Sequence, residues 1–133
     1  MKALDTNVLV RFLVRDDKRQ AQIVYRLFKK AESEKDLFYV PMVVILETIW
    51  VLTSVYQIPR SDILDAISDI LYLPILKFEN QPALKRFLID SQGSNTDLSD
   101  VLIACSAKLA GSETVLSFDK KAATSGVFEL LTE

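Results

Sequence analysis

The spacing of apolar residues along the chain predicts short strands that alternate with helices. Apolar runs too short for a helix predict strands at residues 2–4, 37–40, 75–78, 114–117 and 127–131. Apolar residues that repeat every three to four positions predict helices at about residues 8–13, 18–33, 42–56, 60–72, 81–91, 96–109 and 120–124. This alternation is typical of an α/β fold, with a mainly parallel central sheet of four to five strands and helices on both faces.

The predicted helix at residues 42–56 is apolar on nearly every face, and Glu47 is the one charged residue within residues 37–59. The stretch 37–56 has about the length of a membrane span, but Pro41 interrupts it and a Glu near its middle would be costly in lipid. We therefore predict a buried helix and no membrane segment. Three further residues are predicted to belong to the core: Trp50, Tyr25 and Cys105.

Acidic residues follow the predicted strands or begin the predicted helices. Asp5 comes directly after the first strand, and Asp119 follows the fourth strand after a single Phe. Asp97 and Asp100 lie three residues apart in the first turn of a helix, and Glu47 lies about two turns into the helix after the second strand. Because a parallel sheet gathers the carboxyl ends of its strands at one edge, we expect these acids to lie close together.

Each of these acids also has an ordinary structural explanation. Asp5 and Asp119 fit helix N-caps equally well, and one of Asp97 and Asp100 fits an N-cap too. Glu47, in an otherwise apolar helix, must be paired, bound to a cation or at the exposed edge of the helix, because isolated burial of a charge costs on the order of several kcal/mol. The residue types alone leave these alternatives open.

Polar residues beside the acids are candidates for supporting functions. Thr6 or Asn7 is expected to cap the first helix. Thr6, Asn7 and Ser117 are also candidates for orienting ligands or phosphate oxygens, although turn and cap formation explains them as well. Arg11 and Arg15, four residues apart, are candidates for contacting a substrate phosphate, and exposure to solvent explains them equally well.

Composition narrows the possible chemistry, because the 133 residues include no histidine and one cysteine. The length suits a single domain over residues 1–133.

The lack of histidine excludes Ser-His and Cys-His nucleophilic catalysis and His-containing zinc sites. Two carboxylates about 4 Å apart repel by roughly 4 kcal/mol at an effective dielectric constant near 20, so a cluster of acids is unfavourable unless a cation or protons neutralise it. Carboxylate oxygens favour hard ions, and we predict Mg²⁺ or Mn²⁺, as one ion or two.

The charge is unevenly distributed along the chain. Residues 1–35 contain nine Lys and Arg against five Asp and Glu, whereas the whole chain has a net charge of −2. A basic segment beside an acidic remainder suits a phosphate-bearing partner held near a metal, and solvated helix faces would give the same pattern. The single Cys105 cannot form an internal disulfide and no signal peptide is recognisable, so we expect a cytoplasmic protein.

Four segments, in order, resemble the motifs of the PIN-domain family, and more narrowly those of the VapC toxins of bacterial and archaeal toxin–antitoxin pairs. They are DTNVL at residues 5–9, ILETIWVL at 45–52, DLSDVLIA at 97–104 and SFDKKA at 117–122. Ser117 stands where the family commonly has Thr or Ser. The resemblance covers nearly the whole chain, and it implies a PIN-like three-layer fold and a metal-dependent ribonuclease.

The resemblance implies a role for each acid. Asp5, Glu47 and Asp100 would be the principal ligands of Mg²⁺ or Mn²⁺. Asp119 would be a fourth acid, often acting through water, and Asp97 an auxiliary one. The resemblance further implies a tRNA, rRNA or mRNA substrate, a homodimer, and a cognate antitoxin whose C-terminal segment blocks the site.

We interpret the chain as an endoribonuclease that hydrolyses phosphodiester bonds with metal-activated water, single-stranded or looped RNA being the expected substrate. Two rival readings are weaker. A phosphatase of the haloacid-dehalogenase type would use Asp5 as nucleophile and a second Asp two positions on, where this chain has Asn7. The second is a non-catalytic domain. A receiver-like domain would need paired acids at the end of the first strand, where this chain has only Asp5. A PIN-like module that only binds RNA or protein would usually have lost some of the acids, and this chain keeps all of them.

Overall fold

The computed structural model describes residues 1–133 as seven helices and five strands. In chain order they are β1 (Lys2–Ala3), α1 (Thr6–Val14), α2 (Lys18–Glu34), β2 (Phe38–Val40), α3 (Met42–Ser54), α4 (Arg60–Leu71), β3 (Leu76–Phe78), α5 (Gln81–Ser91), α6 (Leu98–Leu109), β4 (Val115–Ser117), α7 (Lys120–Ala123) and β5 (Phe128–Leu130). The residues group into two compact units, Met1–Gln81 and Pro82–Glu133. The single domain expected over residues 1–133 stays a prediction.

The first unit contains a three-stranded parallel sheet in the order β1-β2-β3. Lys2 pairs with Phe38, and Phe38 pairs in turn with Leu76. Because the strands are parallel, their carboxyl ends lie along one edge, and the residues that follow β1 and β3 belong to that edge. Aromatic rings connect α1 and α2 to the sheet: the Phe28 ring centroid lies 4.9 Å from that of Phe12 and 5.8 Å from that of Phe38.

Helix α3 is apolar on nearly every face but buries one side only, which corrects the prediction of a buried helix. Ile45, Ile49 and Leu52 are at most 1% exposed, whereas Val43 is 72% and Trp50 56% exposed. Tyr25 on α2 is 48% exposed, so the core predictions for Trp50 and Tyr25 are wrong. Hydrophobicity alone does not determine which side of a helix another element covers, since apolar atoms also make up much of a folded surface.

The second unit contains two longer helices, α5 and α6, and the parallel pair β4-β5. Val115 pairs with Phe128, and Ser117 pairs with Leu130. Helix α6 buries Val101, Leu102 and Cys105, so the core prediction for Cys105 is confirmed.

The end of α6 follows the sequence prediction as well. Gly111 comes directly after the C-terminal cap residue, Ala110, and has φ of 97°. This left-handed conformation suits a glycine at the end of a helix.

All strand pairs are parallel, as predicted, and the elements are those of an α/β chain. The single central sheet of four to five strands is not confirmed, because the strands form one sheet of three and one of two. The strands are short, and β1 contributes only the pairs Lys2↔Phe38 and Ala3↔Tyr39 to its ladder. No helix combines the length and the apolar composition needed to cross a bilayer.

Candidate active site

Asp5 follows β1 and forms the N-terminal cap of α1. Its Oδ1 accepts a hydrogen bond from the backbone N–H of Thr6 at 2.7 Å, and its own backbone is extended, with φ of −87° and ψ of 164°. The prediction that Thr6 or Asn7 caps this helix is wrong, since both residues already lie within α1. Thr6 is buried and Asn7 is exposed, so of these three side chains Asp5 and Asn7 reach the surface.

Glu47 lies on the exposed side of α3. Its carboxylate is therefore not isolated in an apolar interior, and exposure to solvent leaves it free to bind a cation as well. Val43 and Trp50 lie four residues before and three residues after it and are exposed too. Glu47 thus stands in an apolar surface stripe that solvent reaches.

Asp97 caps the start of α6, whereas Asp100 does not. Asp97 is the N-cap, with Oδ1 accepting the backbone N–H groups of Ser99 at 3.0 Å and Asp100 at 3.3 Å. Asp100 stands in the first turn, half-buried, and its carboxylate takes no part in these cap bonds. One acid of the pair is therefore a cap, and the other is held on the same helix with its carboxylate outside the cap.

Asp119 and Ser117 form a hydrogen-bonded turn between β4 and α7. The Oγ of Ser117 accepts the N–H of Asp119 at 2.9 Å. Oδ1 of Asp119 accepts the N–H groups of Lys121 at 2.9 Å and Ala122 at 3.2 Å, which makes Asp119 the N-cap of α7. In Asp97 and Asp119 alike, the cap bonds use Oδ1 and fix the orientation of the carboxylate, including that of Oδ2.

Asp100 lies within the electrostatic influence of the other two candidate acids of the second unit, Asp97 and Asp119. Burial raises the pKa of Asp100, and the charges of Asp97 and Asp119 raise it further, while the ammonium of Lys121 lowers it. A nearby cation would relieve this repulsion. The oxygen-only donors of these acids suit a hard divalent ion. In this conformation, however, no three carboxylates or thiols are grouped closely enough to hold a metal ion.

Arg11 is held by a network within the first unit. Its Nε donates to Gln20 Oε1 at 2.6 Å, and its Nη1 donates to Asp16 Oδ1 at 3.2 Å and to the Tyr56 hydroxyl at 3.1 Å. Tyr56 in turn donates to Asp16 Oδ2 at 2.8 Å, and this hydrogen bond is the main reason why the pKa of Asp16 is lowered. Arg11 thus ties α1 to the start of α2 and the end of α3.

Glu79 is not among the residues predicted for the site, although it directly follows β3. Its Oε1 accepts the backbone N–H of Met42 at 3.3 Å, at the start of α3, where Pro41 offers no side-chain cap. Glu79 also accepts a hydrogen bond from Tyr39, whose pKa is raised by burial first and then by this neighbouring carboxylate. The signal in the sequence was an acid directly after a strand.

A charged cavity of about 380 Å³ lies in the second unit, with Arg86, Asp90, Cys105 and Lys108 among its lining residues. Asp90 pairs with Arg86, whose Nε lies 3.1 Å from Asp90 Oδ1. The Cys105 thiol donates to Asp90 Oδ2 at 3.5 Å, and burial, followed by the Asp90 charge, raises the pKa of this thiol to about 11. Asp90 thus compensates the charge of Arg86, and Lys108 adds a further positive charge to this wall.

Comparison with known proteins agrees with the motifs. The PIN domain family model matches residues 2–125. Among curated proteins, the chain is similar to a VapC ribonuclease from Aquifex aeolicus (strain VF5), with 29% identity over 122 residues that cover 91% of this chain and 89% of that protein. The match extends from β1 to the residues just after α7 and includes every candidate acid. The chain belongs to the PIN domain family.

Proposed function

We propose that the chain is an endoribonuclease of the VapC type, the toxin of a toxin–antitoxin pair, and that its activity requires Mg²⁺ or Mn²⁺. Membership of the PIN family and the similarity to a VapC ribonuclease support this reaction class. The observation that carries the proposal is the match of the PIN domain family model over residues 2–125, which include every candidate acid. Burial, and then the charges of Asp97 and Asp119, raise the pKa of Asp100, and a cation would stabilise its charged form.

The proposed ligands are Asp5, Glu47, Asp100 and Asp119, with Asp97 as an auxiliary acid. When bound, a divalent ion supplies Lewis-acid stabilisation of charge on a phosphodiester and acidifies water. Hydrogen bonds within the chain orient two of these carboxylates, those of Asp97 and Asp119, before an ion binds. The backbone N–H groups held by Asp97 and Asp119 fix each carboxylate, and Ser117 fixes the turn that carries Asp119.

The substrate and partners are further parts of the proposal. RNA of the tRNA, rRNA or mRNA class is the substrate, cleaved in single-stranded or looped regions. The basic residues among the first 35 positions contribute attraction for its phosphates. A cognate antitoxin binds the active site through its C-terminal segment, and the toxin forms a homodimer. Thr6 and Asn7 support the carboxylate of Asp5.

The test is cleavage of total cellular RNA by the purified, antitoxin-free protein with Mg²⁺, Mn²⁺ or EDTA. Wild type and Asp65→Asn, a control that removes an exposed acid from α4, should give discrete fragments with either ion and none in EDTA. Asp100→Asn should leave the RNA intact. Fragments that persist in EDTA, or full activity in Asp100→Asn, would refute the metal-dependent mechanism. Intact RNA together with hydrolysis of a phosphate monoester would favour a phosphatase instead.

Ion binding has a second readout that does not depend on cleavage. A ligand that binds only the folded chain raises its melting temperature. Mg²⁺ or Mn²⁺ should therefore raise the melting temperature of wild type and of Asp65→Asn, and should have little effect on Asp100→Asn. Equal shifts in all three proteins would mean that Asp100 is not a ligand.

A further inference from the structure

Phe118 is the most exposed large hydrophobic side chain of the chain, at 80%. It lies between Ser117, the last residue of β4, and Asp119, the cap of α7. Leu116, two residues earlier and within β4, is 60% exposed. An exposed aromatic ring thus stands next in sequence to one of the candidate catalytic acids.

The backbone around this ring is fixed from both sides. Ser117 accepts the N–H of Asp119 through its Oγ, and its carbonyl oxygen accepts the N–H of Leu131 at 2.7 Å. Asp119 holds the first turn of α7, and Ala122 of that helix is 2% exposed. The ring of Phe118 is therefore presented to solvent from a rigid turn.

Positive charges accompany the ring. Lys120 and Lys121 follow Asp119 and are both exposed. The ammonium of Lys121 lies close enough to Asp100 to lower the pKa of that carboxyl. An aromatic face and cations that suit phosphates therefore occur together beside Asp119, and this is the combination by which proteins bind single-stranded nucleic acid.

We propose that Phe118 stacks on an unpaired base of the RNA substrate next to the phosphodiester that is cleaved, with Lys120 and Lys121 contacting neighbouring phosphates. This inference rests on the proposed ribonuclease function. Every base offers a π-face, so stacking of this kind tolerates different sequences and requires that the base be unpaired. The ring would thereby select single-stranded sites and would set the position of the RNA strand relative to Asp119.

The surroundings of the ring favour RNA over a protein partner. A stable protein interface buries roughly 800 Å² on each side and has a largely apolar centre. Here the apolar surface is interrupted, because Leu116 pairs in register with Glu129, which is exposed, and Lys120 follows on the other side of Asp119. A small aromatic surface between charged groups suits a nucleotide.

The first test is kinetic and uses a short single-stranded RNA that wild type cleaves. Stacking on one aromatic ring changes affinity by about 5- to 150-fold, so Phe118→Ala should lower kcat/KM within that range. Phe118→Leu should be equally impaired, because it keeps apolar surface and loses the ring, whereas Phe118→Trp should retain activity. Leu116→Ala, which removes another exposed apolar side chain from the neighbouring strand β4, is the matched control and should cleave as wild type does.

The second test measures binding without cleavage. In EDTA, single-stranded RNA should quench the indole fluorescence of Phe118→Trp more strongly than that of wild type, whose one tryptophan is Trp50. A duplex of the same sequence should quench less. Replacing single bases of the RNA by abasic sites should reduce the quenching at one position near the cleavage site.

The outcomes separate this inference from the proposed function. Cleavage by wild type together with full activity in Phe118→Leu would refute stacking and leave the ribonuclease intact. Loss of antitoxin binding or dimerisation in Phe118→Ala, with RNA cleavage unchanged, would assign the ring to a protein interface and overturn the inference. If wild type cleaves no RNA, the proposed function fails, and the absence of quenching in Phe118→Trp would then refute stacking as well.

Discussion

Replacing Asp97 can separate the capping function of this side chain from its negative charge. Its Oδ1 accepts the N–H groups of Ser99 and Asp100, two of the donors that the first turn of α6 cannot satisfy within the helix. Asp97→Ala removes both bonds, and loss of such a cap lowers the free energy of unfolding by about 1 kcal/mol. For a chain of 133 residues this corresponds to a fall in melting temperature of roughly 4 °C.

Asp97→Asn is the matched variant, because Asn caps a helix about as well as Asp and carries no charge. Its free energy of unfolding should stay within about 0.5 kcal/mol of wild type. Both substitutions remove a negative charge that raises the pKa of Asp100, so this pKa should fall in both. Urea unfolding without divalent ions measures the first quantity, and an NMR titration of the Asp100 carboxyl measures the second.

Two results would contradict this reasoning. Equal losses of stability in Asp97→Ala and Asp97→Asn would mean that the charge of Asp97, and not its cap bonds, stabilises α6. An unchanged pKa of Asp100 in both variants would mean that the two carboxylates do not act on each other. In that case the acids of the second unit would give no electrostatic argument for a cation.

Three further predictions follow from single side chains. The pKa of Asp100 is raised in the folded chain, so ionisation of this carboxyl lowers the stability of the fold above the raised pKa and has no such effect below the ordinary value of 3.8. Asp100→Asn should therefore be more stable than wild type in urea unfolding at pH 7. A gain in stability that persists at pH 3 would show that the charge of Asp100 is not its cause. Tyr56→Phe removes the main hydrogen bond that lowers the pKa of Asp16, so an NMR titration should find that pKa raised. Phe87 is fully buried, and Phe87→Ala should lower the free energy of unfolding by about 3–5 kcal/mol; a thermal unfolding experiment that finds less than about 1 kcal/mol would mean that the site collapses around the smaller side chain.

The starts of α3 and α4 could be predicted from residues with restricted backbones. Pro41 stands at the N-terminal cap of α3 and Pro59 at that of α4, where the missing N–H costs nothing. The predicted helix at residues 81–91 coincides with α5, Gln81–Ser91. These are local effects, which the sequence contains directly.

The errors concern interactions that are not local. Trp50 and Tyr25 are apolar or aromatic, yet whether they are covered depends on which element packs against each side of α3 and α2. The division of the strands into sheets of three and two depends on ladder bonds between distant segments, and a two-residue strand such as β1 leaves little pattern in the sequence.

The candidate site shows the same distinction. Asp97 and Asp119 could be expected as caps from their positions, and both are caps. The raised pKa of Asp100 depends on burial and on its distances to Asp97 and Asp119, which spacing along the chain does not give. The network around Arg11 joins it to Tyr56, 45 residues away, and could not be predicted for the same reason.

The buried thiol of Cys105 makes the second unit suitable for native-state labelling. Disulfide reagents react with the thiolate, and a thiol that is 3% exposed with a pKa of about 11 supplies almost none of it at neutral pH. Labelling then requires that α6 separate from its neighbours, which frees the thiol from Asp90 and restores its ordinary reactivity. Because the chain contains one cysteine, the labelling rate reports the free energy of that local opening without interference from any other site.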